Sequence, residues 1–142
     1  MMKYTTKTEY GLICLLYIAR HSGAPITIKQ ISGAEKYSQT YIEKILQGLR
    51  TAGIVKAAHG NQGGYELARP PSEISFKNII DAIEGKTFQV FCDEHDKEQF
   101  VCTHYGGCEV KPIWQKARTL LDDYFESIKL DSLLKEPAEQ LG

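Results

Sequence analysis

Apolar residues recur along the chain with changing period, and each change marks an element. From Thr8 to His21, Leu12, Ile13, Leu15, Leu16, Tyr17 and Ala19 return at intervals of three and four, which predicts an amphipathic helix stopped by Ser22-Gly23-Ala24-Pro25. Thr27-Ile28-Lys29-Gln30 reads as a capping box, in which each of Thr27 and Gln30 offers a side-chain oxygen to the other's amide. A short second helix to about Ala34 follows from it. Ser38 stands where it can cap a third helix, with Ile42, Ile45, Leu46 and Leu49 as the inner stripe before Gly53. The outer face then carries Gln39, Thr40, Glu43, Lys44, Gln47 and Arg50.

Beyond Gly53 the pattern shortens. Ile54-Val55-Lys56-Ala57-Ala58 and Tyr65-Glu66-Leu67-Ala68 are strand-like runs joined by His59-Gly60-Asn61-Gln62-Gly63-Gly64, whose glycines suit a turn and leave amides open to a phosphate. After Arg69-Pro70-Pro71, Ser75 can cap a helix with the stripe Ile79, Ile80 and Ile83, ending at Gly85. Periodicity is then lost from Lys86 to Lys111, a stretch of roughly 25 residues that is long for a plain connection. Pro112 opens a final helix to about Lys129, striped by Ile113, Trp114, Ala117, Leu120, Leu121, Tyr124, Phe125 and Ile128.

The order of elements predicts a mainly α fold with a small β-hairpin wing: a winged helix-turn-helix plus a long C-terminal dimerisation helix. Residues 1–85 form the expected DNA-binding domain, 86–111 a cysteine-bearing loop, and 112–142 the dimerisation helix and tail. So apolar a helix in so small a chain calls for a partner, and a homodimer would present two recognition helices to a palindromic double-stranded DNA operator. Packing of that helix on its own winged helix is the alternative.

Composition adds one decisive point. At 142 residues, with 42% hydrophobic and 25% charged residues, the chain has ordinary globular usage. No membrane-spanning run and no signal-peptide cleavage site stand out, so a cytoplasmic location is expected. The net charge of −1 argues weakly against a polyanion partner. Its distribution reverses that: residues 1–70 hold nine Lys/Arg against four Asp/Glu (+5), and residues 71–142 hold eight against fourteen (−6).

The residues expected at the major groove are Ser38, Gln39, Thr40, Tyr41, Glu43 and Lys44, with Gln39 able to pair with adenine and Glu43 to accept from a cytosine amino group. Tyr41 as part of the core, and Lys44 as a phosphate contact only, are the plainer readings. Lys56, His59, Gly60 and Gln62 are expected at the wing. Neither a nucleotide-binding glycine loop nor a catalytic triad is evident, so an enzyme is not expected.

Cys14 lies among apolar neighbours and reads as a small core residue. Cys92, Cys102 and Cys108 share the aperiodic loop, where soft-metal ligation, redox sensing and coincidence are all open. Their spacing lacks the tight pairs of a zinc ribbon. Iron-sulfur ligation tolerates wider spacing but needs a fourth donor.

Tyr41-Ile42-Glu43-Lys44-Ile45-Leu46, Ala52-Gly53-Ile54-Val55, Gly63-Gly64-Tyr65-Glu66-Leu67-Ala68-Arg69-Pro70 and Ile79-Ile80-Asp81-Ala82-Ile83-Glu84-Gly85 together resemble the Rrf2 family of bacterial regulators over nearly the whole chain. The resemblance implies a homodimeric winged-helix repressor whose C-terminal helix forms the dimer interface. It also implies a two-iron or four-iron cluster on Cys92, Cys102 and Cys108 that alters operator affinity in response to redox state, nitric oxide or iron-sulfur status. A cluster-free regulator controlled by a partner protein or thiol oxidation is the alternative within the family. Two positions depart from the family pattern. Lys111 replaces a histidine ligand found in some cluster-binding members, leaving Glu9 of the partner subunit as the implied fourth ligand; otherwise Glu9 is a solvated charge near a helix start. At the wing tip His59 stands where relatives often have arginine, so wing affinity should rise from pH 7 towards pH 6.

Overall fold

The computed structural model describes residues 4–60, 63–85 and 107–134. Its first helix, α1 (Thr6–Arg20), starts two residues before the apolar pattern does, because the Thr5 hydroxyl accepts from the Lys7 amide and caps it. In α2 (Ile28–Glu35) both bonds of the Thr27–Gln30 capping box are made, at 2.8 and 3.1 Å. Lys36 then turns the chain in the left-handed region (φ 62°), and Ser38 caps α3 (Gln39–Thr51) by accepting from the Tyr41 amide at 3.1 Å. Strands β1 (Val55–Ala57) and β2 (Tyr65–Leu67) pair antiparallel, with Lys56 opposite Glu66. A single 3-10 turn (Pro71–Glu73) leads to α4 (Phe76–Glu84), where Ser75 and Asn78 form a second reciprocal box.

Helices α1, α3 and α4 enclose the core. Leu15, Ile31, Ile42, Leu46, Leu49 and Ile79 are wholly buried in it. Gly11 sets how near α1 comes to α4: a Cβ there would lie 2.2 Å from the Ile83 side chain. Burying one such Leu or Ile stabilises the fold by about 1.5–3 kcal/mol.

Two long-range connections go beyond what local pattern predicts. Ile26 exchanges both backbone hydrogen bonds with Tyr65 (2.8 and 2.7 Å), adding a one-residue third strand beside β2. Gly64 permits it: its φ is +121°, and a Cβ would sit 3.0 Å from the Ile26 carbonyl oxygen. The second connection is C-terminal. Helix α5 (Lys111–Ser127) ends two residues short of the expected Lys129, because Ile128 is extended and its carbonyl accepts from the Phe76 amide at 2.8 Å. The Leu130 amide donates to the Ile74 carbonyl at 2.8 Å, and short α6 (Leu130–Leu133) places the Leu130 side chain in the core, fully buried. The far end of α5 is thereby fastened to α4, with Phe125 against Phe76 (ring centres 5.2 Å apart) and the Ser75 hydroxyl donating to Glu126 at 3.0 Å.

The rest of α5 is differently placed. Ile113, Leu120 and Tyr124 line one edge of the helix and are 64%, 57% and 61% exposed, whereas Leu121, Phe125 and Ile128 on the adjoining edge are half-buried. The apolar stripe is therefore split between the protein's own α4 and an uncovered edge. Among the described residues no helix is long and apolar enough to cross a membrane.

Candidate nucleic-acid interface

The buried stripe of α3 fixes which way its other face points. With Ile42, Ile45, Leu46 and Leu49 in the core, Gln39, Thr40, Glu43, Lys44, Gln47 and Arg50 are all exposed. At about 100° per residue, Gln39, Glu43 and Arg50 fall within about 40° of one another and extend over about 16 Å of helix. Such a row presents amide, carboxylate and guanidinium groups in sequence, and base edges offer complementary donors and acceptors.

Ser38 has a double position. Its oxygen accepts from the Tyr41 amide, which leaves its hydroxyl hydrogen for an outside acceptor. Tyr41 is half-buried rather than outward: its ring meets Tyr10 edge-on at 5.5 Å, and Tyr10 stacks on Tyr37 at 4.3 Å. Packing of the Tyr41 ring against the core is thus present alongside its place on the recognition helix. Burial first, and then the nearby Glu35 carboxylate, raise the Tyr37 phenol above its ordinary value, so it remains a proton donor. The three-tyrosine cluster joins α1, the α2–α3 turn and α3, and sequence reading missed it because its members share no helical period.

At the wing, Lys56 and Glu66 face each other across the strands at 3.6 Å, both well exposed. His59 and Gly60 form the exposed tip, where Gly60 has φ 143° and its carbonyl accepts from the Gly63 amide at 3.2 Å. Gln62 lies outside the described residues. Between the last turn of α3 and the wing is an open concavity of about 720 Å³, bordered by Arg50, Lys56, His59 and Glu66.

Of the expected metal ligands, Cys92 and Cys102 lie outside the described residues, as does most of the 86–111 loop. Cys108 is a half-buried free thiol three residues ahead of α5, and Glu9 is exposed on the first turn of α1. No group of three His, Cys, Asp or Glu residues is assembled among the described residues. Cys14 is a different kind of thiol. Burial, reinforced by Glu35 and only partly offset by a backbone hydrogen bond, pushes its pKa up to about 11, so it stays protonated and unreactive at neutral pH.

One carboxylate outside the expected set links these parts. Glu84, the last residue of α4, accepts from the Thr5 amide at 3.0 Å, from the Thr8 hydroxyl at 2.6 Å and from the Thr5 hydroxyl. Burial raises its pKa, but these hydrogen bonds together outweigh that and hold it below its ordinary value. The end of α4 is in this way tied to the first turn of α1, where Glu9 stands.

Residues 4–136 match a family described as Rrf2, iron-dependent transcriptional regulator. The chain is 33% identical over 136 residues to Protein rrf2 of Nitratidesulfovibrio vulgaris, covering 95% of this chain and 89% of that one. Among solved structures it is similar to CymR, described as the global cysteine regulator of B. subtilis, with a TM-score of 0.73 and 29% identity over 94% of this chain and 97% of that one. It is also similar to T. potens IscR, with a TM-score of 0.70 and 32% identity over 94% and 87% of the two chains.

Proposed function

The chain belongs to the Rrf2 family of transcription regulators, and from that premise we propose that it is a homodimeric repressor of a palindromic operator, switched by an iron-sulfur cluster. Its kinship is with DNA-binding winged-helix regulators rather than enzymes. The observation that carries the reading is the exposed Gln39–Glu43–Arg50 row of α3, held outward by a fully packed inner stripe and flanked by a wing. Gln39, Thr40, Glu43 and Lys44 enter the major groove, Ser38 and Tyr41 orient the helix start, and Lys56, His59, Gly60 and Gln62 act at the wing. A two-fold dimer built on the exposed edge of α5 sets two such units about one DNA turn apart, roughly 34 Å.

Cys92, Cys102 and Cys108, with Glu9 of the partner subunit, would hold the cluster, a donor set that suits iron-sulfur chemistry. Cys108 fits that use, since it is free and half-buried. When bound, such a group supplies a centre sensitive to redox state, nitric oxide or iron-sulfur supply. The protein's part is geometric: the segment holding the cysteines joins α4 to α5, so any state that favours one arrangement of that segment changes the spacing of the two recognition helices.

Two observations favour a cluster-free regulator as the second reading, namely the similarity to CymR and the Lys111 ammonium at the start of α5. One experiment separates the two. Anaerobically purified protein is assayed for iron, sulfide and visible absorption, and its binding to duplexes selected from a random pool is measured with and without nitric oxide or oxidant. Coloured protein whose affinity changes on treatment supports the cluster. Colourless protein with unchanged affinity under nitric oxide overturns it.

A further inference from the structure

We propose that the concavity between the last turn of α3 and the wing is a phosphodiester site, in which Arg50 contacts the DNA strand that passes from the major groove to the wing. This goes beyond base reading by α3 and rests only on DNA binding by the fold, not on the cluster.

Three observations meet at Arg50. It lies on the same outward row as Gln39 and Glu43, about 16 Å along the helix from Gln39, so a duplex lying on that row must pass it. It borders the concavity together with wing residues Lys56 and His59, while Gly53, Ala57 and Ala58 keep the walls low enough for a backbone to approach. Its guanidinium has no hydrogen bond or ion pair among the described residues. Lys56, by contrast, has Glu66 at 3.6 Å opposing its charge. Arg50 is therefore the uncompensated cation of the concavity, and its planar fork of donors matches the two free oxygens of a phosphodiester.

A cation in the last turn of a helix also interacts favourably with the helix dipole. That role would show in melting, whereas a phosphate contact shows in the salt dependence of DNA binding and is indifferent to sequence.

The test measures affinity of wild type, Arg50→Gln and Arg50→Lys for a duplex selected from a random pool and for an unrelated duplex, across a salt series, with thermal melts alongside. Arg50→Gln is expected to weaken binding to both duplexes by about five- to tenfold at about 100 mM salt, and to lower the slope of log affinity against log salt by about 0.9 per bound subunit. Arg50→Lys is expected to keep the slope. Glu43→Gln is expected to alter the selected sequence without moving the slope, which checks that readout and phosphate contact are separable. An unchanged slope in Arg50→Gln would overturn the proposal, as would a loss confined to the selected duplex or one matched by a lower melting temperature.

Discussion

Helices α1 to α4 and helix α5 solve the problem of their ends and faces in opposite ways. Each of the first four has a Thr or Ser side chain capping its start, and three of them bury an inner stripe of at least three residues. Helix α5 has no side-chain cap and no buried residue, although it is the longest of the set at 17 residues. The first region is held by its own contacts. The second is anchored at one end, through Phe125, Glu126 and the Leu130 turn, and leaves Ile113, Leu120 and Tyr124 uncovered. One region buries its apolar face within a single chain, and the other leaves an apolar edge exposed.

That contrast can be broken at the anchor. Leu130→Ala is expected to destabilise the whole protein by about 3 kcal/mol in denaturant unfolding, as for other fully buried leucines. A much smaller loss would mean that α5 and α6 are appended rather than integral. Ile113→Asp with Leu120→Asp sharpens the other side: the proposed dimer should weaken by about 2 kcal/mol, roughly thirtyfold, in analytical ultracentrifugation, with the melt of α1 to α4 retained. If the doubly charged variant stayed dimeric at the same concentration, the exposed edge would not be the interface.

A smaller effect is expected from Glu84→Gln. The hydrogen bonds from Thr5 and Thr8 should be worth about 1 kcal/mol after solvent screening. Because the folded carboxyl titrates below its ordinary value of 4.5, its stabilisation is present above about pH 5 and lost as pH falls through the folded value. Wild type and variant should converge in stability as pH falls below the folded value; a constant gap would refute the assignment. Smallest of all, Glu66→Gln frees Lys56 and should raise affinity for unrelated duplex DNA about threefold, without altering dimerisation. A fall in affinity would show that Glu66 positions the wing rather than masking its charge.

Most of the first region was legible because its signals are local. Thr27, Ser38 and Ser75 are caps recognisable from the residues that follow, and the apolar stripe of α3 by itself defines the outer face. One local signal escaped, the Thr5 cap, because it lies ahead of the apolar period. The rest was made by partners distant in sequence: the Ile26–Tyr65 bridge links residues on either side of α2 and α3, and Leu130 reads as tail until Ile74 is seen beside it. The same limit applies to the site: the Gln39–Glu43 face could be read from spacing, but the Lys56–Glu66 pairing required strand register, and Tyr41's ring required Tyr10 and Tyr37.

The return of the chain at Leu130 bears on how this protein could be recombined with others. A chimera that keeps residues up to Gly85 and grafts on a foreign sensor would discard the plug beside Ile74 and the strand-like pairing of Ile128 with Phe76. A sound junction would instead preserve residues 128 to 134 and exchange what lies between α4 and the middle of α5. Twisting or shifting α5 would then reach the DNA-binding unit through the Ile128–Phe76 and Leu130–Ile74 bonds and the buried Leu130 side chain.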